Sequence, residues 1–309
     1  MNYSITKCID REEWSNFISS SPQNNIFCKL DFVEAFEQNY ETYFVKKNEL
    51  ILLGVLIVND AFLYQGVLFS EYFESLSTHK KCKIRLDSIE FLLKELELIY
   101  KTISLGIHPT IDDLRSFQWH NYHNKNGLQP NLKLHYTGAL KIEKNEDFNQ
   151  ILSNVRTSRR QEYRRCLNNG FTVQESTDLD LLNSLHTKTF KRQKINRPPN
   201  EVLLVTKVAK ESISKGFGKL LVCKDKQGIP ASANLFLFDD STAYYLIGAN
   251  DPDYRKDGVG AYILLEQIRN FMAQGIRYID FVGINSPLRG DFKTSFNAKP
   301  LPYYSFTLR

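Results

Sequence analysis

The chain has little of what marks several large functional classes. Its five cysteines (Cys8, Cys28, Cys82, Cys166 and Cys223) are odd in number, scattered and without metal-ligand spacing. They read as reduced thiols, and no His/Cys cluster suggests a metal. The start, Met1-Asn2-Tyr3-Ser4-Ile5-Thr6, has neither a basic segment nor an apolar stretch of the export type. Together these give the expectation of a cytoplasmic protein. No run of roughly 18 apolar residues is present, so a spanning helix is not expected, and a peripheral membrane contact is the most the pattern allows. Low-complexity segments and short repeats are absent as well. The net charge is only +5, a mild excess that suits an anionic ligand without requiring nucleic acid; no DNA partner is expected.

Core material, by contrast, is plentiful. The chain of 309 residues is 42% apolar, with 21 Phe and 16 Tyr, enough for one large domain or two of about 150 residues each. Apolar periodicity in the first half predicts helices at 12–19, 31–39 and 85–101, strands at 43–46, 50–58, 62–67 and 103–106, and a further helix at 117–125. The Asn126-Gly127-Leu128-Gln129-Pro130 segment reads as a link, giving domains 1–130 and 131–309. After it the pattern restarts with a strand at 133–142, a long basic helix at 146–168 stopped by Asn169-Gly170, and a strand at 171–174. Helices at 179–190 and 201–214 follow, then strands at 218–223, 231–238 and 242–248. A helix at 258–273, a strand at 277–283, a short helix at 291–296 and a strand at 303–307 complete the chain.

One segment carries chemistry more directly than the rest. Asp253-Tyr254-Arg255-Lys256-Asp257-Gly258-Val259-Gly260-Ala261 joins a strand to a helix through two glycines, with Asp257 as the expected cap. Unpaired amides and aligned peptide dipoles at such a helix start favour an anion, and a pyrophosphate suits it in size and charge. The Arg-x-x-Gly-x-Gly-Ala order at 255–261 resembles the acyl-CoA loop of the GNAT N-acyltransferase superfamily. More widely, the chain resembles the tandem-GNAT proteins of the FemAB/FemX-like group, in a compact form without a coiled-coil arm. Asn25-Ile26-Phe27 with Asp31-Phe32-Val33-Glu34-Ala35-Phe36 is similar to that group's opening strand and helix. Asp113-Leu114-Arg115-Ser116-Phe117-Gln118-Trp119 is similar to its segment before the domain junction, and 156–165 to its basic helix. Asp280-Phe281-Val282-Gly283 with Phe292-Lys293-Thr294-Ser295-Phe296 is similar to its closing signature.

The resemblance implies an α/β (α+β) protein of two tandem GNAT-like domains, with mixed central sheets flanked by helices and a cofactor loop only in the second. The first domain is then degenerate and binds the acceptor, while the second binds acyl-CoA. It further implies acyl transfer to an amine, with acetyl-CoA or another acyl-CoA as co-substrate and no metal. Leu246, Ile247, Gly248, Arg255, Lys256, Asp257, Gly258, Val259, Gly260, Ala261 and Asn285 become the candidate cofactor-binding residues. Gly248 is the expected place for the preceding strand to break its pairing and free amides for an oxyanion. Lys293, matching the group's Phe-Lys pair, is the first catalytic candidate.

Asp280, inside an apolar strand, is a second, as a proton acceptor; its alternative is a carboxylate tied to an arginine or a backbone N–H. His108, His186, Tyr254 and Tyr262 are weaker acid–base candidates. The tyrosine that often serves GNAT enzymes as general acid is absent, Phe292 and Phe296 standing in that region. Arg156, Arg159, Arg160, Arg164 and Arg165 crowd one helix with only Glu162 among them. Either a solvated face or an anionic ligand accounts for them, and Arg156, Arg159 and Arg160 are the candidate substrate contacts. Tyr64 and Trp119 are the candidate stacking platforms for a sugar or base.

Three functions follow. The first is an N-acyltransferase acting on an amino sugar or amino acid of a surface-glycan or cell-wall precursor, with a small-molecule or nucleotide- or lipid-linked sugar as acceptor. The second is an aminoacyl-tRNA-dependent FemX-like transferase, the only reading in which tRNA is a partner. The third is a non-catalytic GNAT-like scaffold.

Overall fold

Residues 3–35 and 39–309 are described by a computed structural model, in which the chain divides into two units: unit 1, up to His135 and again from Pro302 to Arg309, and unit 2, Tyr136–Leu301. Unit 1 runs β1 (Tyr3–Lys7), α1 (Arg11–Ser20), α2 (Leu30–Ala35), β2 (Tyr40–Lys47), β3 (Leu50–Val58), β4 (Val67–Phe69), α3 (Thr78–Ile99), β5 (Ile103–Ile107) and α4 (Arg115–Trp119). β6 (Pro130–Lys141) carries the chain into unit 2. That unit continues with α5 (Phe148–Asn154), α6 (Thr157–Asn168), β7 (Thr172–Ser176), α7 (Leu179–Arg192), α8 (Pro199–Ser214), β8 (Gly218–Lys224), β9 (Pro230–Phe238) and β10 (Thr242–Asn250). It closes with α9 (Val259–Ala273), β11 (Tyr278–Asp280) and α10 (Pro287–Thr294), and β12 (Lys299–Leu308) returns the chain to unit 1.

In unit 1 the strands run β1-β2-β3-β5-β12, with β4 also paired to β3. Alternation along β2 builds two cores: Tyr43 and Val45 pack with Leu92 and Leu96 of α3, while Phe44 faces Trp14 and Phe17 of α1. α1 starts where Asp10 accepts the N–H groups of Glu12 and Glu13.

Several sequence expectations for unit 1 are corrected. The opening strand at Asn25-Ile26-Phe27 is a 3-10 turn, Ile26–Cys28, because the Asn25 side chain accepts Phe27 N–H. The strand expected at 62–67 is instead a turn in which the Phe62 and Gln65 backbones bond, with Leu63 at φ 41°, and pairing begins only at Val67. The helix expected at 117–125 is the single turn and a half of α4. The helix expected at 31–39 spans Leu30–Ala35, and positions 36–38 lie outside the described residues. β1, which pairs with β2 from Tyr3↔Lys47 to Lys7↔Tyr43, has too short an alternation to be read from sequence.

In unit 2 the order is β6-β11-β10-β9-β8-β7, antiparallel except for the β10–β11 pair. α7 and α8 cover one face through Leu182, Leu185 and Ala209 against Leu220, Leu235 and Ile247. α5, α6 and α9 cover the other through Ile151, Tyr163, Ile263, Ile268 and Phe271 against Phe236, Tyr245 and Ile279. The basic helix expected at 146–168 is two helices. Between them Arg156 is extended at φ −51°, ψ 139°, its N–H donating to Ser295 O. β11 is shorter and α10 begins earlier than the sequence suggests.

Candidate active site

The sheet of unit 2 opens at one place. β10 and β11 are paired only over Thr242↔Tyr278, Ala243↔Ile279 and Tyr244↔Asp280. Beyond Tyr244, β10 continues to Asn250 while the chain after Asp280 turns away, so one edge of 245–250 has no strand beside it among the described residues. On its other edge β10 carries a bulge between Tyr245 and Ile247. The expected break at Gly248 therefore lies at Leu246 instead. Gly248 has a different function: a Cβ there would lie 1.7 Å from Tyr245 Oη. We expect Gly248→Ala to cost about 2–3 kcal/mol, since an overpacked core must shift backbone or ring. Urea denaturation in a double-mutant cycle with Tyr245→Leu checks it; additive losses would mean that the two positions do not meet.

Two side chains hold the turn that leads β11 away. Asp280 Oδ1 accepts Thr137 Oγ1 at 2.5 Å and Val282 N–H at 2.7 Å. Asp280 is thus tied to a backbone N–H, one of the ties expected for a structural carboxylate. Lys293 Nζ donates to the carbonyls of Phe281, Val282 and Gly283 at 2.5, 2.8 and 2.9 Å, and lies 5.6 Å from the centre of the Tyr245 ring. Three acceptors wrapped about one ammonium make it the hub of the turn. Asn285 Oδ1 accepts Tyr136 N–H at 2.8 Å, fixing the next segment to β6.

At the far end of β10 the chain enters the glycine-rich turn. The α9 cap is Gly258, at φ 87° with no side-chain cap bond, rather than Asp257. That left-handed backbone favours glycine, and a Cβ would also strike Glu162 Cγ at 2.3 Å. Carbonyls of the turn face α6: Arg165 donates to Lys256 O, and Cys166 Sγ to Asp257 O at 3.4 Å. The N–H groups of Val259 and Gly260 find no acceptor among the described residues. Arg255 and Lys256 are exposed beside them, and Val259 and Ala261 are buried in the helix core.

Four of the five arginines in the run have partners inside unit 2. Arg156 makes a two-pronged pair with Asp291 at 2.6 and 2.8 Å. Arg159 donates to Glu162 at 2.6 Å and lies over the Phe292 ring, and Arg160 caps Ser153 O and Val155 O. α6 thus lies against both α10 and the N-terminus of α9. Glu162, half-buried, has its carboxyl pushed up by burial against the opposing pull of Arg159 and Arg165. As the lone acid three residues after Arg159, it carried a pairing signal in the sequence, but not its contact with Gly258.

The two candidate stacking platforms lie in unit 1. Tyr64 is buried in an aromatic cluster with Phe27, His108 and Tyr303, which corrects its assignment as an open stacking platform. Trp119 is 58% exposed and 4.3 Å from the Tyr122 ring. Among the described residues no group of three or more His, Cys, Asp or Glu could hold a metal, and no helix is long and apolar enough to cross a membrane.

A strand splayed from its parallel neighbour leads through a glycine turn into a helix. Residues 153–294, which include all three, match the acetyltransferase (GNAT) domain family. Residues 153–294 form a GNAT acetyltransferase domain. The protein is an acyltransferase in class. Its chain has the tandem-GNAT, FemX-like fold. It is similar to FemX with a TM-score of 0.71 at 13% identity, covering 98% of this chain and 97% of that one. A tandem GNAT protein from the clavulanic acid biosynthesis pathway matches at TM-score 0.55 and 8% identity, over 100% and 98%. L-PGS from Bacillus licheniformis matches at 0.53 and 10%, over 96% and 91%. No curated protein matches.

Proposed function

We propose that the GNAT domain moves an acyl group, acetyl in the simplest case, from a coenzyme A thioester to the amine of an amino sugar or amino acid in a surface-glycan or cell-wall precursor. One observation carries the reading: the β10 edge left open beyond Tyr244 leads directly into a helix start with free Val259 and Gly260 amides. Arg255, Lys256 and those amides suit a diphosphate, by charge and by donor number. The open edge at Leu246, Ile247 and Gly248 suits the amide-bearing arm of the donor and supplies backbone donors for an oxyanion. A neutral amine attacks the thioester carbonyl; its proton leaves to solvent or substrate, and the thiolate departs. Lys293 and Asp280 act in this scheme by fixing the turn after β11. Exposed Trp119 suits stacking on a sugar or base.

A second reading has its own support. Glu162 fills the space beside Gly258, and a carboxylate there opposes a bound diphosphate. An aminoacyl-tRNA donor, anchored elsewhere by its backbone, avoids that conflict. Melting-temperature shifts and thiol release with acetyl-CoA, set against salt-dependent binding of aminoacyl-tRNA, separate the two. A rise with acetyl-CoA is expected; none, together with tRNA binding that falls steeply with salt, reverses the order.

Glu162 also sets a pH dependence. Its carboxyl titrates above the ordinary range because it is half-buried. Lowering the pH through that point removes a negative charge beside the turn and frees Arg159. CoA affinity should therefore strengthen as pH falls, and Glu162→Gln should be tighter at neutral pH, by about tenfold, with a flatter profile. Calorimetric titration between pH 5 and 8 reads both; parallel profiles for the two proteins would remove Glu162 from the site.

A further inference from the structure

Arg197 lies in the connection between α7 and α8, with its side chain only 2% exposed. Burying a guanidinium with donors unmet is costly, so native proteins pair such groups. Here the pairing is incomplete in an ordered way. Nη1 donates to Asn183 Oδ1 at 3.1 Å, and Asn183 Nδ2 in turn donates to Thr206 Oγ1 at 2.7 Å. This chain, anchored on α7 and α8, fixes the plane of the guanidinium. Nε and Nη2, which lie along the same edge, have no hydrogen-bond partner. That edge is the two-donor fork that matches a carboxylate. Glu201 Oε1 stands 3.5 Å from Nε as its ion-pair partner, and its side chain is 37% exposed.

We propose that the Nε/Nη2 edge of Arg197 receives a carboxylate of the acyl acceptor, with Glu201 as the placeholder it displaces. The inference rests on the acyl-transfer reading and narrows it, from amines in general to amines that also carry a carboxylate. The α7–α8 layer bearing Arg197 covers β10: Thr189 of α7 bonds both the N–H and the carbonyl of Asn250, at the end of the open strand edge. One helix carries both anchors: Asn183 of α7 holds Arg197, and Thr189 of the same helix holds Asn250. A carboxylate is favoured over phosphate because the placeholder is itself a carboxylate.

The test uses the full chain, acetate as probe, and the ¹⁵N–¹H signal of Arg Nε, assigned by its loss in Arg197→Lys. Acetate should shift this signal saturably, beyond the effect of chloride at equal ionic strength. Glu201→Gln should leave the signal of the acetate-free protein in place and lower the acetate midpoint by about tenfold, as the competing charge is gone. In Arg197→Lys, the acetate-dependent rise in melting temperature should vanish while the fold persists. Three results overturn the proposal: no acetate effect beyond chloride, saturation by inorganic phosphate but not acetate, or a large signal change in Glu201→Gln without ligand, which would make Glu201 the fork's own partner. Acetate binding by a protein that transfers no acyl group would instead sink the acyl-transfer reading and leave this site standing.

Discussion

Gly260→Asp should weaken CoA binding by at least about a hundredfold, while Gly260→Ala should weaken it by less than about tenfold. Two effects add in the aspartate. The first is steric: a Cβ at 260 would lie 2.8 Å from Asn250 Oδ1, and Asn250 is itself held by Ser232 Oγ at 2.7 Å. Alanine carries this cost alone, and the end of an amide side chain can give way. The second is electrostatic: a carboxylate at the helix start takes up the Val259 and Gly260 amides and repels an incoming diphosphate. An internal acid there even favours the helix, so the variant should fold as well as the parent. Calorimetric titration of the three proteins with CoA decides it. Equal losses in alanine and aspartate would mean that crowding alone is felt and that no anion sits at the turn. Unaltered affinity in the aspartate variant would remove CoA from the assignment and favour the tRNA donor.

The parts of this fold legible in the sequence are those fixed by short-range rules. The meander of β8, β9 and β10, the glycine turn and α9 follow from apolar periodicity and from Gly258, and each is found within a few residues of its expected place. What escaped depends on partners distant in sequence. The break between α5 and α6 has no proline or glycine; it is imposed by Ser295 O accepting Arg156 N–H. The arginines of α6, open in the sequence between a solvated face and an anionic ligand, have Asp291 and carbonyls of neighbouring turns as partners, which no helical wheel reveals. The same holds for the fork of Arg197, whose meaning comes from which nitrogens Asn183 leaves unmet. Residue type announced the chemistry in each case; tertiary packing decided which donors were already in use.

The position of β11 depends on Lys293, and its loss should be felt in stability as well as in turnover. Val282 has φ 47° and Gly283 φ 74°, two left-handed residues in succession. For a β-branched side chain this backbone costs roughly 1–3 kcal/mol and persists only when surroundings hold it. Those surroundings are Asp280 Oδ1 on the Val282 N–H and Lys293 Nζ on three carbonyls. Lys293→Met keeps the stem, removes the charge and leaves those carbonyls without their donor, which should cost about 3–5 kcal/mol. With the turn free to relax, the chain after Asp280 can pair further along β10 and close the open edge. Turnover should then fall by at least about a hundredfold, as positioning losses of this size do. Val282→Gly alone, with Lys293 still holding the turn, removes the strain and should raise stability by about 1 kcal/mol at unchanged turnover. Urea denaturation and acetyl-CoA turnover on the same preparations check both. If Lys293→Met lost turnover at unchanged stability, the ammonium would be acting on the reacting atoms themselves, and the strand opening would need another cause.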